Sequence, residues 1–558
     1  MNKIEPDDVN VIFGMPPKGF DCEVVALDTE WFGQDVNRLH RPHGRFGCLT
    51  ATGNGQDVYI IFKDDEIQEF MNRVGPNAVQ VYHNAQYDIR QLRKYATIHD
   101  TENLWDTMLV EQVRFSGYYN KFGLNDLARR YLGIYMEKGV REEFSDDSNQ
   151  EMSDEQIFYA CVDAVCTWHV AKAQMDQIDS DDRNIWENVE RPFLWVLLSS
   201  KGVYFNTEKW MERANAAKAK AEELDKSMPF NPRSSKQVKE YMLSKYKIKL
   251  ESSDEEHLQT ALNKNPDIIE IETILESRGL TKDASTYGEK WALAVEEDGR
   301  LYPSYRQILE TGRVSAGGDV AIQTTPHKDE YRSCIMAAPG NIISVRDYSA
   351  QEPRILAYIT QDKKMIDTFR KGKDIYISIG YEIFGEVFDK KDPRRQQMKS
   401  IILGISYGMS IFGLAAKMGV DEETATEWLD IFFKKFAQAK KWVDSCQVWK
   451  PYTTTILGRK FWGNPYSNGW QRNYQNFPMQ GSAADCTKIA AACVYSRLGY
   501  NPFLIYMHDE LVAEFTKEQF AEGDAVMNSC MLEVQEWMHE GIPGSLEAFA
   551  GADWSVKK

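Results

Sequence analysis

Residues 341–357 read NIISVRDYSAQEPRILA. Apolar, β-branched residues run to Asp347 and give way to a helical pattern, so a strand is predicted to end on an acid. Residues 503–515, FLIYMHDELVAEF, are two apolar runs joined through His508-Asp509-Glu510 and predict a hairpin. Two aspartates, Asp347 and Asp509, on neighbouring strands could hold a pair of divalent ions.

Between them lies RRQQMKSIILGISYG, residues 394–408. Arg395, Lys399, Leu403 and Tyr407 recur every four residues. Each step of four drifts about 40° around a helix, so all four share one broad face. Two cations, an apolar side chain and a ring in that order suit a nucleotide: triphosphate on the cations, sugar over Leu403, base against Tyr407. The same spacing also suits a core-facing apolar stripe with snorkelling basic residues.

Further out, residues 21 to about 170 alternate strand and helix signals and predict an α/β domain with carboxylates at strand ends. Glu23–Leu27 (EVVAL) and Val79–Tyr82 (VQVY) read as strands, and Asp154–Ala171 as a helix capped by Ser153. Asp28 and Glu30 stand in LDTEW just past the first strand, on one face of the chain. Asp88 ends HNAQYD. Tyr159 and Asp163, in YACVDAV, share a helix face. Four gathered carboxylates repel one another unless cations lie between them. Two divalent ions about 4 Å apart would activate a water and stabilise the leaving oxygen of a phosphodiester, with Tyr159 orienting the water.

Residues 183–200 predict one amphipathic helix, and Thr207 to Trp291 is helical with few strand signals. Within it, residues 233–249 (RSSKQVKEYMLSKYKIK) hold six basic residues against one acid. The segment 361–445 is again mostly helical.

A chain of 558 residues is too long for one core and predicts two to four domains. Hydrophobic content of 43% and charged content of 27% are those of a globular protein. The net charge of −18 argues mildly against a nucleic-acid partner, but binding is local, and carboxylate metal sites push the sum negative. Nine cysteines without a CxxC pair suit free thiols in a reducing cytoplasm, and Cys161 and Cys166 do not suggest a zinc site. The N-terminus MNKIEPDDVN carries no signal pattern. The longest uncharged stretch, Ser400 to Ala416, is 17 residues and predicts a buried helix rather than a membrane span.

These motifs resemble two families. Asp28, Glu30, Asp88 with Asn84 and Tyr87, Tyr159 and Asp163 are similar to the tyrosine subtype of DEDD 3′→5′ exonucleases, which implies a ribonuclease-H-like fold. Across residues 311–510, five segments in order resemble family A, polymerase I-like DNA polymerases. They are Thr311-Gly312-Arg313, Asp347-Tyr348-Ser349 with Glu352 and Arg354, the 394–408 helix, residues 472–481 (RNYQNFPMQG), and His508-Asp509-Glu510. Phe230-Asn231 with Ser234 to Gln237 looks like the start of that family's thumb.

The resemblance implies a proofreading, template-directed DNA polymerase serving replication. Its α/β exonuclease domain would span 1–180. A mixed α+β right-hand polymerase domain would span 181–558, with thumb about 207–290, palm about 291–360 and 495–558, and fingers about 361–494. Asp347 and Asp509 would hold metal with Glu510 nearby, and Asp28, Glu30, Asp88 and Asp163 would hold the second pair. Each site would take two Mg2+, with Mn2+ as a substitute. Arg395 and Lys399 would hold the triphosphate, Lys399 protonating pyrophosphate. Glu352 would sit under the sugar and exclude a 2′-hydroxyl with Tyr407, beside Tyr348. Arg313, Arg472, Asn476, Gln480 and His508 would contact the duplex, and Lys236 and Lys239 of the thumb the DNA backbone. Partners would be primer–template DNA and dNTPs, with no membrane; replisome proteins are not identified.

Two departures stand out: Leu403 replaces the family's usual Phe or Tyr, and Gln323-Thr324-Thr325-Pro326 is a loose form of its QNIP segment. The compact layout, with only about 20 residues ahead of the first strand and no 5′-nuclease domain expected, resembles bacteriophage enzymes working in a host cytoplasm. A single-subunit RNA polymerase shares the palm logic, but Glu352 and the exonuclease argue against it. A binding factor with a decayed polymerase body conflicts with complete acid sets, because unused clustered carboxylates repel.

Overall fold

The computed structural model describes residues 8–20, 22–33, 44–75, 77–136, 139–144, 151–318 and 320–557; residues 1–7 of the N-terminal stretch lie outside these. By packing, the chain divides into a unit of 1–201, 304–316 and 344–548 and a unit of 202–303, 317–343 and 549–558.

The first unit opens with a six-stranded mixed sheet: β1 (Asn10–Phe13), β2 (Val24–Phe32), β3 (Arg45–Thr52), β4 (Asp57–Ile61), β5 (Val79–Tyr82) and β6 (Leu104–Asp106), in the order β1-β4-β3-β2-β5-β6. The β2–β3–β4 ladder is antiparallel; β1 runs parallel to β4, and β5 parallel to both β2 and β6. Strand β2 continues five residues past the expected end at Leu27, so Asp28 and Glu30 lie within it. Their alternation with buried Thr29 puts both acids on the less buried face. The helix Asp154–Gln177 packs on β2 and β3, started by a Ser153–Gln156 capping box.

The expected single helix over 183–200 is broken. Ser180–Ile185 passes into a π-helical turn, Trp186–Glu190, before Arg191–Leu198. Of its two acids Glu190 is wholly buried, which an amphipathic reading does not foresee.

Seven helices between Gln351 and Ser445 surround a core of Ile355, Met365, Phe369, Ile379, Met398, Ile402, Leu414 and Phe432. The uncharged stretch 400–416 is split between Pro393–Ser406 and Ile411–Met418, and no helix of the described residues is long and apolar enough to cross a membrane. A 29-residue helix, Trp470–Leu498, leads to the expected hairpin Phe503–Met507 and Glu510–Thr516. The sheet order is hairpin, Asn341–Tyr348, then Leu546–Gly551.

In the second unit, Ile335–Met336, Val203–Phe205 and Arg300–Leu301 form a small antiparallel sheet. Trp210 stacks on Trp291 at 4.8 Å among Phe205, Tyr287 and Tyr331. Helices Thr207–Ser227, Ser235–Tyr246, Glu255–Lys264 and Ile269–Thr286 fulfil the helical expectation for 207–291.

Candidate active sites

In the N-terminal sheet, Asp28 and Glu30 of β2 meet Asp163 of the helix Asp154–Gln177, one oxygen of each lying within 4.8 Å of the others. All three are half-buried. The negative field reaches neighbouring thiols: burial, then the Asp28 carboxylate, pushes Cys161 up to about 12. Tyr159 lies one turn before Asp163, with its ring 6.3 Å from Phe144.

Asp88 stands apart from that three-acid group. Its Oδ1 accepts from the Thr29 backbone N–H at 3.1 Å and hydroxyl at 2.7 Å. Thr29 separates the two strand acids, so Asp88 fixes the segment that carries them. Burial raises Asp88 to about 7, against the hydrogen bonds from Thr29. The expected convergence of four acids is therefore seen for three. Asn84, at φ 70°, starts the helix that carries Asp88. Asp106, which the sequence reading passed over, accepts from Asn84 and Ala85 and caps Thr107–Phe115 as well.

In the polymerase-like region, Asp347 is the penultimate residue of its strand and Asp509 occupies the two-residue turn of the hairpin, where Met507 pairs with Glu510. The Tyr348 N–H donates to the Asp509 carbonyl at 3.1 Å, which sets the two acids on adjacent backbones. Both are half-buried, Glu510 is buried, and His508 takes φ 38° to make the turn. Thr487 of the long helix donates to the His508 carbonyl at 3.0 Å and anchors it.

The helix Pro393–Ser406 resolves the two readings of its face. Met398, Ile401, Ile402 and Ile405 enter the core, while Arg395, Lys399 and Leu403 stay half-exposed, followed by Tyr407 at the C-cap. The cation-to-ring face is therefore not the core stripe. Gly408, at φ +57°, follows immediately; a Cβ there would meet Gln475 Oε1 at 2.6 Å and Arg472 Cγ at 2.9 Å.

Glu352 accepts from Arg313 Nη2 at 3.2 Å, and the Tyr407 hydroxyl lies 3.5 Å from the same oxygen. Burial raises the Glu352 carboxyl; Arg313 opposes this and the Asp509 charge adds to it. Glu352, Tyr407, Arg313 and Asp509 thus share one electrostatic neighbourhood. Tyr348 is buried, its hydroxyl donating to the Met531 carbonyl at 3.0 Å, so it braces the strand rather than facing the cleft. On the long helix, Arg472 is exposed, Asn476 half-buried and Gln480 buried. In the second unit, Lys236 is exposed beside Glu240 and Lys239 reaches the Glu251 carbonyl. Arg233 and Lys245 of the same basic run pair with Asp225 and Glu270.

Sequence reasoning missed Asp374, which accepts from Arg395, and the buried cluster of Glu190, Arg459, Asp485 and Lys488. Asp374 had a signal, an Asp just ahead of a helical pattern. The buried cluster had none, since its members lie up to 298 residues apart.

Both acidic sites offer hard oxygen ligands of the kind that hold divalent ions for phosphoryl transfer. A 3′-5′ exonuclease model matches residues 17–179, and the model of DNA polymerase family A matches 204–556, more than half of the chain. The chain belongs to DNA polymerase family A and carries a 3′-5′ exonuclease domain ahead of the polymerase region.

It is 27% identical over 581 residues to DNA polymerase I of Aquifex aeolicus, covering 95% of this chain and 96% of that protein. It is 25% identical to DNA polymerase I of Pseudomonas aeruginosa over 96% of this chain, but spans 64% of that protein's length. In fold it matches the POL domain of Pol1 from M. smegmatis, solved in complex with DNA primer-template and dNTP. The TM-score is 0.81 at 21% identity, over 96% of this chain and 95% of the other.

Proposed function

We propose that this protein extends a primer 3′ end on a DNA template with dNTPs and removes mispaired 3′ ends, using two Mg2+ at each of two separate sites. The supporting observation is the bond from the Tyr348 N–H to the Asp509 carbonyl, which sets Asp347 and Asp509 on adjacent backbones in the same unit as a helix whose non-core face carries Arg395 and Lys399.

Asp347 and Asp509, with Glu510 nearby, would hold the ions of synthesis; Asp28, Glu30 and Asp163 those of hydrolysis, with Asp88 adding its charge and holding Thr29. Bound ions neutralise the phosphoryl oxygens and activate the attacking oxygen. Arg395 binds the triphosphate, and Lys399 is the group assigned to protonate departing pyrophosphate. Leu403 and Tyr407 receive sugar and base, while Glu352, held by Arg313, excludes a 2′-hydroxyl. Arg313, Arg472, Asn476, Gln480 and His508 contact the duplex, where minor-groove acceptors are similar for all base pairs. Lys236 and Lys239 contact phosphates. At the second site Tyr159 orients the attacking water. A frayed, mispaired end reaches that site as a single strand. Nine free thiols fit work in a reducing cytoplasm.

Purified protein with a primed template should extend the primer with Mg2+ and dNTPs, and shorten it when dNTPs are withheld. Full extension by Asp509→Ala would refute the assignment.

A further inference from the structure

We infer that Asp374 is a positioning residue for nucleotide binding: it holds the Arg395 guanidinium so that one edge is already turned to the incoming triphosphate. The inference rests on the reading of Arg395 given under Proposed function.

Asp374 is the N-cap of Ile375–Phe384, and its two oxygens have separate duties. Oδ1 accepts from the Tyr376 and Ile377 N–H groups at 2.9 and 3.1 Å, which fixes the carboxylate to the helix start. Oδ2 accepts from Arg395 Nε at 3.0 Å and lies 2.9 Å from Nη2 in the same ion pair. The Tyr376 ring lies 5.0 Å from the guanidinium carbon and supplies a wall.

An arginine presents donors along two edges, one made by Nε and Nη2 and one by the two terminal nitrogens. Asp374 takes the first. The second is left for a tetrahedral oxyanion. Arg395 also lines a cavity of about 240 Å3 with Ser349, Ala350, Lys373, Lys390 and Arg354. Five charged side chains line this cavity, and Asp374 is the sole acid among them. A lone acid in such a place would weaken an anion site by its charge. Its geometry gives a compensating return: a long, flexible side chain is ordered before the nucleotide arrives.

The test is single-nucleotide incorporation by the full chain on a primed template with Mg2+, separating KM for dNTP from kcat. Asp374→Asn keeps a cap acceptor and removes the charge; Asp374→Ser keeps a cap and withdraws from Arg395. Both should raise KM for dNTP roughly tenfold with kcat changed by no more than about twofold, at an unchanged unfolding temperature. Arg395→Ala should raise KM further, and Asp374→Asn on that background should add nothing, because the two act as one unit. Asp374→Glu should recover part of the loss.

An unchanged KM in both Asp374 variants, beside a raised KM in Arg395→Ala, would overturn the inference. So would additive effects in the double variant. An unchanged KM in Arg395→Ala would instead overturn the triphosphate reading, and the inference with it.

Discussion

The Tyr348 N–H donates to the Asp509 carbonyl across 3.1 Å, so that two acids 162 positions apart in sequence project from neighbouring backbones. The backbone beside each is held elsewhere: the Ser349 N–H donates to the Ser545 carbonyl at 2.9 Å, and Thr487 holds His508. Removing one carboxylate leaves this backbone intact and takes away only a ligand. Asp347→Ala and Asp509→Ala should each cut kcat for primer extension by at least about 10^3-fold, several kcal/mol of lost charge stabilisation. Primer–template binding, read by gel shift, should stay within a few-fold of wild type.

Because the three-acid group draws on the N-terminal sheet and its helix alone, the two chemistries should separate. The double variant Asp28→Ala/Glu30→Ala should lose 3′ degradation on single-stranded substrate and retain dNTP addition. Tyr159→Phe, which removes only a hydroxyl, should reduce degradation less than the double variant does. Degradation that persists in the double variant would show that the hydrolytic site lies elsewhere.

Glu352 is held by Arg313 at 3.2 Å and lies in the field of Asp509. A half-buried carboxylate under the sugar, as proposed, would exclude a hydroxyl by bulk. Glu352→Ala should therefore raise rNTP incorporation relative to dNTP by at least about tenfold, measured by single-nucleotide addition. An unchanged ratio would take the sugar-excluding role away from Glu352.

What could be read from sequence follows the range of the forces involved. Asp28, Glu30 and Asp163 were legible because strand alternation and the four-residue helix repeat are local rules, and packing of helix on sheet then brings them together. The hairpin over 503–515 was legible for the same reason. Asp88 was named as a fourth member of one cluster, but its bond to Thr29 depends on how one helix docks on β2, which no spacing reports. The 394–408 helix stayed ambiguous until its neighbours showed that Met398 and Ile402 point inward. The π-helical turn at Trp186–Glu190 escaped entirely, since its buried acid is satisfied by cations on a distant helix and hairpin.

That acid carries a stability prediction. Glu190 accepts from Lys488 Nζ at 2.7 and 3.0 Å, from Gln307 Nε2 at 2.8 Å and from Arg459 Nη2, and none of the three charged groups is more than 2% exposed. Asp485 accepts from Arg459 Nε at 2.8 Å. Burial pulls Lys488 down to about 8 while Glu190 pulls it back up. Glu190→Gln leaves two buried cations with one carboxylate and should destabilise the protein by about 3–5 kcal/mol. Glu533→Gln, in the exposed pair with Arg497, should leave the unfolding transition where it is. Urea unfolding followed by tryptophan fluorescence compares the two; equal transitions would mean that the buried cluster adds nothing.

His539 sets a pH dependence in the same direction as that of a carboxylate held below its ordinary range, but in a higher pH window. Its ring is fully buried, neither nitrogen has a hydrogen-bond partner among the described residues, and Tyr358 and Arg354 are its neighbours. Burial, helped by the Arg354 charge, pulls it down to about 4 from an ordinary value near 6.5. Between those values the unfolded chain takes up a proton that the folded chain refuses, so stability falls as pH drops from 6.5 to 4 and the loss levels off below 4. The full effect is roughly 3 kcal/mol at about 1.4 kcal/mol per pH unit. His539→Phe keeps the ring shape and gives up no hydrogen bond. Its unfolding midpoint should therefore fall less than that of the wild type between pH 7 and 4.5, with the two curves parallel above pH 7. Parallel curves across the whole range would show that this histidine is protonated alike in both states.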